Sequence, residues 1–242
     1  MTMLVWAELR ALARNVTFLL VTIGLPVVFF LVMSEVFGDM DIRGIDMSRY
    51  MMLSMAAFGA MSVSIAVGTR VGRERLAGWN RQLRLTPLPG WSYVVSKVIV
   101  ALALVLPTTL LIFLAGLALK GVSLTAGQWL GATLAVWLGA LPFGVIGLAI
   151  GLSVRPDSAD GLGVAVYLPL AMLGGLWVPV EILPGFMATF AKVLPSYWLA
   201  ENARQHLISG SPGLAGPLVV LTWFLALAAV VATLYRRDTS RL

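Results

Sequence analysis

The sequence predicts an all-α membrane protein, and three observations support this class. Hydrophobic residues make up 60% of the 242 residues, charged residues make up only 12%, and the charges cluster between long apolar runs. Soluble domains carry about 25% charged residues, because water must meet a polar surface. The composition therefore excludes a soluble enzyme, a disordered chain and a nucleic-acid-binding protein, although the formal net charge is +6.

Six stretches are long and apolar enough to cross a bilayer. A crossing helix needs about 20 residues, because a rise of about 1.5 Å per residue must cover about 30 Å of hydrocarbon. The predicted spans are residues 16–37, 50–69, 98–119, 129–152, 161–180 and 213–235. Because this number is even, both chain termini are predicted on the same side of the membrane.

The distribution of charge predicts which side that is. With cytoplasmic termini, the inner segments hold 12 basic and 5 acidic residues, a net charge of +7. The outer segments then hold 5 basic and 6 acidic residues, a net charge of −1. Cytoplasmic loops of membrane proteins carry an excess of Lys and Arg. The asymmetry therefore predicts cytoplasmic termini in a bacterial-type inner membrane.

The N-terminal segment, residues 1–15, precedes the first span. Leu4, Val5, Leu9 and Leu12 recur at helical spacing, with Glu8 and two arginines between them. This pattern predicts an amphipathic helix that lies in the cytoplasmic interface of the bilayer. A polar lead-in to the first span is the alternative.

The spans contain glycines and prolines that affect helix packing. Small residues such as Gly147 and Gly151 let transmembrane helices approach closely, which favours packing within the chain. A dimer seam or a moving interface stays open as an alternative. Four prolines lie inside spans and can kink them: Pro26, Pro107, Pro142 and Pro169.

The loop at residues 70–97 is the main predicted cytoplasmic segment, with a net charge of +5. Leu76, Trp79, Leu83 and Leu85 lie among its charged residues, and Pro87 ends the helix that they would form. A short helix with exposed apolar side chains favours a groove on a partner protein. Anchoring to lipid headgroups through Arg and Trp is an equal alternative on residue chemistry alone.

The segment at residues 181–211 is too often interrupted to cross the membrane. Each half has fewer than ten apolar residues before a proline or a charge. We therefore predict two short helices that enter the outer leaflet and return, packed against other spans as a plug or gate. Two helices lying flat on the outer surface are the alternative.

Several chemical groups are absent from the sequence. It has no cysteine, one histidine (His206), no phosphate-binding G-x-x-x-x-G-K-[ST] loop and no H-E-x-x-H motif. Its 11 acidic residues lie in predicted loops or at span ends, whereas ion-coupled carriers place an ionisable group deep in a span. These absences argue against an enzyme, and against proton or sodium coupling within the chain.

Two motifs, in this order and topology, resemble the type-2 permeases of ATP-binding-cassette (ABC) exporters. The first matches E-x-x-x-G followed by L-x-x-T-P in the basic loop, at Glu74, Gly78, Leu83, Thr86 and Pro87. The second resembles G-x-x-x-P, L-P and P-x-x-Y near the last span, at Gly175, Pro179, Leu183, Pro184, Pro195 and Tyr197, although Pro195 and Tyr197 are only two positions apart in this chain. Many members carry threonine and an acid shortly after the glycine, where this chain has Trp79 and Arg81.

The resemblance implies a mechanism in which this chain binds no cofactor itself. A cytoplasmic ABC nucleotide-binding subunit would hold ATP and Mg²⁺, and a second copy or a related permease would complete the pathway. The basic loop would supply a coupling helix that contacts the ATPase through Glu74, Leu76, Gly78, Trp79, Arg81, Leu83, Leu85 and Pro87. The helical hairpin predicted at residues 181–211 would form an outer gate with Pro179, Leu183, Pro184, Phe186, Pro195 and Tyr197. Family substrates include drugs, antibiotics, lipids and glycans.

The sequence thus predicts the membrane subunit of an ABC exporter. A self-sufficient channel or carrier is the alternative, but it would need polar residues along one face of the spans, and these are sparse. The apolar spans favour an apolar or amphipathic substrate. Candidate substrate-lining residues in the second span are Met51, Met55, Phe58 and Met61. Their flexible side chains would give an adaptable wall, and packing against lipid is the alternative role.

Overall fold

The structure, a computed structural model, describes residues 2–38, 40–78, 91–211 and 213–240. Within these ranges the chain is helical apart from a short β-hairpin, which confirms the predicted all-α class. The α-helices are α1 (Thr2–Ala13), α2 (Val16–Leu19), α3 (Leu25–Val36), α4 (Met47–Leu76), α5 (Trp91–Lys120), α6 (Ala126–Gly139), α7 (Leu141–Ser153), α8 (Ala159–Leu173), α9 (Gly185–Ala191), α10 (Pro195–Ile208) and α11 (Ala215–Ser240). The short turns are a π-helical turn at Leu20–Gly24 and 3₁₀ turns at Pro156–Ser158 and Val180–Ile182.

Five helical stretches of the described chain have the length and composition to cross a membrane. They are Val16–Val36, Met47–Leu76, Ser92–Lys120, Ala126–Ser153 and Ala215–Tyr235. Each overlaps one predicted span. The predicted span 161–180 corresponds to α8, whose 15 residues rise only about 22 Å. The described residues therefore contain five long apolar helices. A sixth complete crossing of the membrane stays a prediction.

Helix α8 ends early because of its glycine cap. Gly175 has a φ of +71°, and its N–H donates to the Met172 carbonyl at 3.2 Å. The Leu176 N–H donates to the Ala171 carbonyl at 3.0 Å, which completes a Schellman motif. Only glycine adopts this left-handed conformation at little cost. The first glycine of the second sequence motif thus turns the chain out of α8.

Helix α4 is the centre of the fold. In its most apolar 18-residue stretch, 94% of the residues are buried, whereas the corresponding shares in the first and last spans are 17% and 11%. Helices α3, α5, α7, α8 and α10 pack around it. The outer spans therefore offer most of the lipid-facing surface, and α4 forms the core.

Glycines let α4 and α7 meet backbone to backbone. A Cβ atom at Gly68 would lie 2.4 Å from the Leu148 nitrogen, and one at Gly147 would lie 2.3 Å from the Ile65 oxygen. Gly151 likewise lies against the Gly68 carbonyl. This is the close packing within one chain that the glycine-rich spans predict.

Two of the predicted kinking prolines coincide with breaks in helical geometry. Pro142 lies in the first turn of α7, just after α6 ends at Gly139, so it divides the predicted fourth span into two helices. Pro26 lies in the first turn of α3, directly after the π-helical turn. Proline lacks the N–H that a helix needs, which explains both interruptions.

A two-stranded hairpin precedes α4 and was not predicted. Strands β1 (Asp41–Ile42) and β2 (Ile45–Asp46) pair antiparallel around Arg43 and Gly44. These two turn residues have φ values of +57° and +76°, as a two-residue hairpin turn of this hand requires. The strands bury Ile42 and Ile45 and leave the Arg43 side chain at the turn.

Candidate coupling and gate sites

The predicted coupling segment begins where α4 ends. Glu74 and Leu76 lie in the last turn of α4, and Gly78 follows with a φ of +69°. Leu76 is exposed, with 59% of its surface accessible, so the described residues leave most of this apolar side chain uncovered. The remaining predicted contacts lie outside the described residues: Trp79, Arg81, Leu83, Leu85 and Pro87.

A buried charged cluster holds the end of α4 in place. Lys97 of α5 is 2% exposed, and its Nζ lies 2.5 Å from Glu8 Oε1 and 2.5 Å from Glu74 Oε1. The Tyr93 hydroxyl donates a hydrogen bond to Glu74 Oε2. We call these four residues, Glu8, Glu74, Tyr93 and Lys97, the coupling-end cluster. They join α1, α4 and α5 directly beneath the start of the basic loop.

The coupling-end cluster has more negative than positive charge. Two carboxylates share the one ammonium of Lys97, and Glu8 lies on α1, outside the spans. Burial raises the pKa of the Glu8 carboxyl above its ordinary value, and the Lys97 charge opposes that effect only in part. The ion pair therefore offsets part, but not all, of the cost of burying Glu8.

Two arginines before Gly78 connect α4 to neighbouring helices. Arg75 Nη1 donates to the carbonyl oxygens of Gly151 at 3.0 Å and Leu152 at 3.1 Å, which lie at the end of α7. A cation is favourable there because the last carbonyls of a helix lack helical partners. Arg73 Nε lies 3.0 Å from Asp160 Oδ2 in the first turn of α8. Movement of the loop would therefore act on four helices.

The predicted gate segment folds into two helices, α9 and α10. Its six predicted residues are all described: Pro179, Leu183, Pro184, Phe186, Pro195 and Tyr197. Pro184 and Pro195 stand at the beginnings of α9 and α10, where a missing N–H costs nothing. Phe186 is 77% exposed, whereas Tyr197 is buried and packs edge-on against Trp198 at 5.1 Å.

A second charged cluster, of two buried and two exposed charged side chains, ties the gate helices to α4. Arg43 Nη1 lies 2.8 Å from Glu201 Oε1 and 3.5 Å from Glu181 Oε1. The Tyr50 hydroxyl donates to Glu181 Oε2 at 3.2 Å. These residues, together with Ser54 and Arg204 described below, form the gate-end cluster. Its members are Arg43, Tyr50, Ser54, Glu181, Glu201 and Arg204.

Arg204 is the most deeply buried member of the gate-end cluster, at 1% exposure. Its Nη2 donates to the Ser54 hydroxyl oxygen at 2.8 Å, and its Nη1 lies 3.4 Å from Glu201 Oε2. The guanidinium also lies 4.0 Å from the centre of the Tyr50 ring. Arg204 thus connects α10 to the first turns of α4.

The four candidate substrate-lining residues are fully buried within the chain: Met51, Met55, Phe58 and Met61. Phe58 packs against the rings of Phe29, Tyr167 and Trp177. A substrate-lining role for these residues stays a prediction, because within this single chain they contact protein rather than open space.

A groove of about 590 Å³ lies between the start of the first span, α4 and α8. We call it the mixed groove, because both polar and apolar side chains line it. Hydroxyls of Thr17, Ser62 and Tyr167 and apolar side chains such as Phe18 line it, and Asp160 and Arg73 lie at one end. Among the residues described, no group of three or more His, Asp or Glu side chains is placed to hold a metal ion.

Sequence reasoning singled out Glu74 but did not predict the other members of the two charged clusters. It counted Lys97, Glu201 and Arg204 as charges of loops or span ends, although all three are buried on helices. A local signal existed for Lys97, because it follows Tyr93 by one helical turn and continues directly into an apolar run. Glu201 and Arg204, three residues apart, share one helix face.

Long apolar helices around a central, buried α4 define a multi-pass helical membrane protein. The sequence profile of the ABC-2 type transporter family matches residues 1–208, and the chain belongs to this family. The chain is also similar to "Putative transport permease YvfS" of Bacillus subtilis (strain 168), with 30% identity over 220 residues. That match covers 90% of each chain. The protein is therefore the membrane subunit of a transporter.

Proposed function

We propose that this chain is the permease subunit of an ATP-driven ABC exporter. A separate nucleotide-binding subunit on the cytoplasmic side would bind ATP and Mg²⁺, and a second permease chain would complete the pathway. The substrate would be an apolar or amphipathic molecule, such as a drug, an antibiotic or a lipid, moved out of the cell. Membership of the ABC-2 type transporter family supports the ATPase partnership.

The coupling-end cluster is the observation that carries this proposal. It fixes the last turn of α4 to α1 and α5 through buried ion pairs, while Arg75 fixes the same turn to α7. A loop that only anchored the protein to lipid would not need these direct connections to three neighbouring helices. A loop that is displaced by an ATPase does need such connections, because its movement must be transmitted to the membrane spans.

The mixed groove supports the substrate class. Its 590 Å³ volume lies within the usual range for small-molecule sites. Both hydroxyl groups and apolar side chains line it, which suits an amphipathic molecule better than an ion. Its Asp160–Arg73 end adjoins α4 near the coupling segment, so movement of that segment would change the shape of the groove.

Reconstitution with and without an ATPase tests the proposal. The tagged chain is purified from its native membrane together with its bound subunits, and a fluorescent amphiphile such as a dansyl phospholipid reports transport in proteoliposomes. We expect transport that requires ATP and the co-purified phosphate-loop subunit, and that is lost when this subunit is removed. Equal transport by the permease alone, without ATP, would instead establish the self-sufficient carrier.

Gly78→Pro gives a matched mutational test. Proline requires a φ near −65°, whereas Gly78 has +69°, so the loop must leave α4 in another direction. We expect at least a tenfold loss of ATP-dependent transport with unchanged membrane insertion. Gly121→Pro is the control, because Gly121 has a φ of +62° at the other end of the bundle and no neighbour within 4 Å.

Cysteine labelling tests the proposed orientation. The chain has no cysteine, and neither Gly185 nor Gly161 has an atom within 4 Å of an added Cβ. We expect Gly185→Cys to react with an impermeant thiol reagent from outside the cell, and Gly161→Cys only after permeabilisation. The opposite pattern would invert the proposed topology.

A further inference from the structure

The mixed groove carries its charges at one end. Among its described lining residues, Arg73 of α4 and Asp160 of α8 are the charged ones, and Arg73 Nε lies 3.0 Å from Asp160 Oδ2. Their side chains are 56% and 47% exposed, so a ligand in the groove can reach both. The groove therefore has no net charge, but it presents a positive and a negative group side by side.

Both charged groups keep unused capacity for hydrogen bonds. A guanidinium carries several N–H donors, and Arg73 Nη1 and Nη2 donate to no residue that the structure describes. Asp160 Oδ1 accepts from the Thr69 hydroxyl at 2.9 Å, whereas a carboxylate can accept about four hydrogen bonds. A ligand with an anionic and a cationic group can therefore bind both side chains without separating them.

The remainder of the groove suits a hydrocarbon chain. Its lining on α4 extends from Arg73 to Ser62, a rise of about 16 Å. Val21 and Val164 are 52% and 44% exposed on its wall, so the groove opens to the surface that faces lipid. The charged end and the apolar wall together match an amphiphile whose head lies at Arg73 and Asp160.

We propose that the substrate bound in the mixed groove is a zwitterionic amphiphile, with its anionic group at Arg73, its ammonium group at Asp160 and its hydrocarbon chain along α4. A head group with a single charge would attract one member of the pair and repel the other. The assignment as a substrate rests on the proposed exporter function, whereas binding in the groove does not.

The head-group selectivity of binding tests this site. The chain is purified with its bound subunits in dodecyl maltoside, a detergent with an uncharged head, and is studied without nucleotide. Four fluorescent probes share a dansyl-tagged dodecyl chain and carry a phosphoethanolamine, phosphate, ammonium or hydroxyl head. We expect the phosphoethanolamine probe to bind about tenfold more tightly than the others, as expected for one further charged hydrogen bond. Equal affinities for the four probes would overturn the proposal.

Asp160→Asn and Arg73→Gln separate head-group recognition from a structural role of the ion pair. Each variant should weaken binding of the zwitterionic probe by about tenfold. Asp160→Asn should also strengthen binding of the phosphate probe, and Arg73→Gln that of the ammonium probe, because the repelling charge is gone. Asp46→Asn is the control, since Asp46 pairs with Arg49 on α4 outside the groove. A parallel loss for all four probes would show a structural role and overturn the proposal.

A second pair of variants keeps the test decisive if the charged variants destabilise the chain. Val164→Trp fills the groove and should abolish binding of the zwitterionic probe. Leu162→Trp, the control, adds the same ring to an exposed position of α8 outside the groove. Unchanged binding by Val164→Trp would overturn the site.

Transport in proteoliposomes tests the assignment as a substrate. We expect ATP-dependent transport of the four probes to follow the same order as their binding. Selective binding without that order of transport would overturn the substrate assignment. Transport that follows the order but needs no ATP would contradict the proposed exporter function and support the zwitterionic site.

Discussion

The two ends of α4 carry charged clusters of different composition, each built around a buried cation, Lys97 or Arg204. At the coupling end, Glu8 and Glu74 share the single ammonium of Lys97. At the gate end, two arginines meet two glutamates, and Arg43 contacts both acids. The same central helix is therefore attached through an unbalanced cluster on one side and a balanced one on the other.

This difference suggests different mechanical roles. An arginine fork holds several partners in fixed directions, whereas a lysine ammonium is a compact charge on a flexible stem. The balanced arginine cluster should therefore hold the turn of the β-hairpin, α4 and α10 rigidly together. The unbalanced cluster can change its protonation or its pairing when the adjoining loop moves, which suits an element that responds to a partner.

The largest expected effect comes from Lys97→Met. This change removes the buried Lys97 ammonium from two partly buried carboxylates, and loss of one partner from a buried pair costs about 3–5 kcal/mol. We expect a loss of that size in the free energy of unfolding, measured in detergent micelles by SDS titration with tryptophan fluorescence.

Lys120→Met is the matched control for Lys97→Met, since both lysines lie on α5. Lys120 pairs with Glu35, whose side chain is 77% exposed, and exposed pairs contribute less than about 1 kcal/mol. Similar losses for the two variants would show that burial of the coupling-end cluster has no special weight.

Arg204→Met should have the next largest effect. Glu201 keeps Arg43 as a partner, so we expect a loss of about 1.5–3 kcal/mol, the range for hydrogen bonds to charged groups. The same SDS titration measures it, with Arg49→Met, a partly exposed arginine paired with Asp46, as the control. A larger loss for Arg204→Met than for Lys97→Met would reverse the comparison between the two ends.

The smallest expected effect is a pH dependence from Glu8. Because burial raises its pKa, the folded protein binds this proton more tightly than the unfolded chain does. The contribution of Glu8 to stability is therefore present at low pH and lost as the pH rises through the raised pKa. We expect the SDS concentration at the unfolding midpoint of the wild type to decrease, relative to that of Glu8→Gln, as the pH is raised from about 4.5 to about 8. A difference that grows with pH would show that the Lys97 pairing outweighs burial.

Much of the fold was predictable because its signals are local. Composition and the length of apolar runs predicted the class, and five of the six spans overlap long apolar helices. Local chemistry also explains the differences: Gly175 ends α8 early, and Pro142 divides the predicted fourth span. The β-hairpin at Arg43 and Gly44 is too short to leave a periodic signal.

The candidate sites were predictable only in outline. The two motifs located the proposed coupling and gate segments, but did not predict which residues hold these segments in place. The methionines of α4 were ambiguous, because apolar side chains suit both a substrate-lining wall and packing against lipid. Their burial within the single chain depends on which helices surround α4, and a substrate-lining role stays a prediction.

The sequence by itself determined that the chain is a helical membrane protein with a basic loop and a proline-rich hairpin. These properties follow from hydrophobicity, charge and turn residues that act over a few positions. The tertiary structure alone decided the charged pairs, since Lys97 meets Glu8 across 89 positions and Arg43 meets Glu201 across 158. Charges that distant pair only when packing brings their helices together and removes water, and the glycine contacts of α4 and α7 permit that packing.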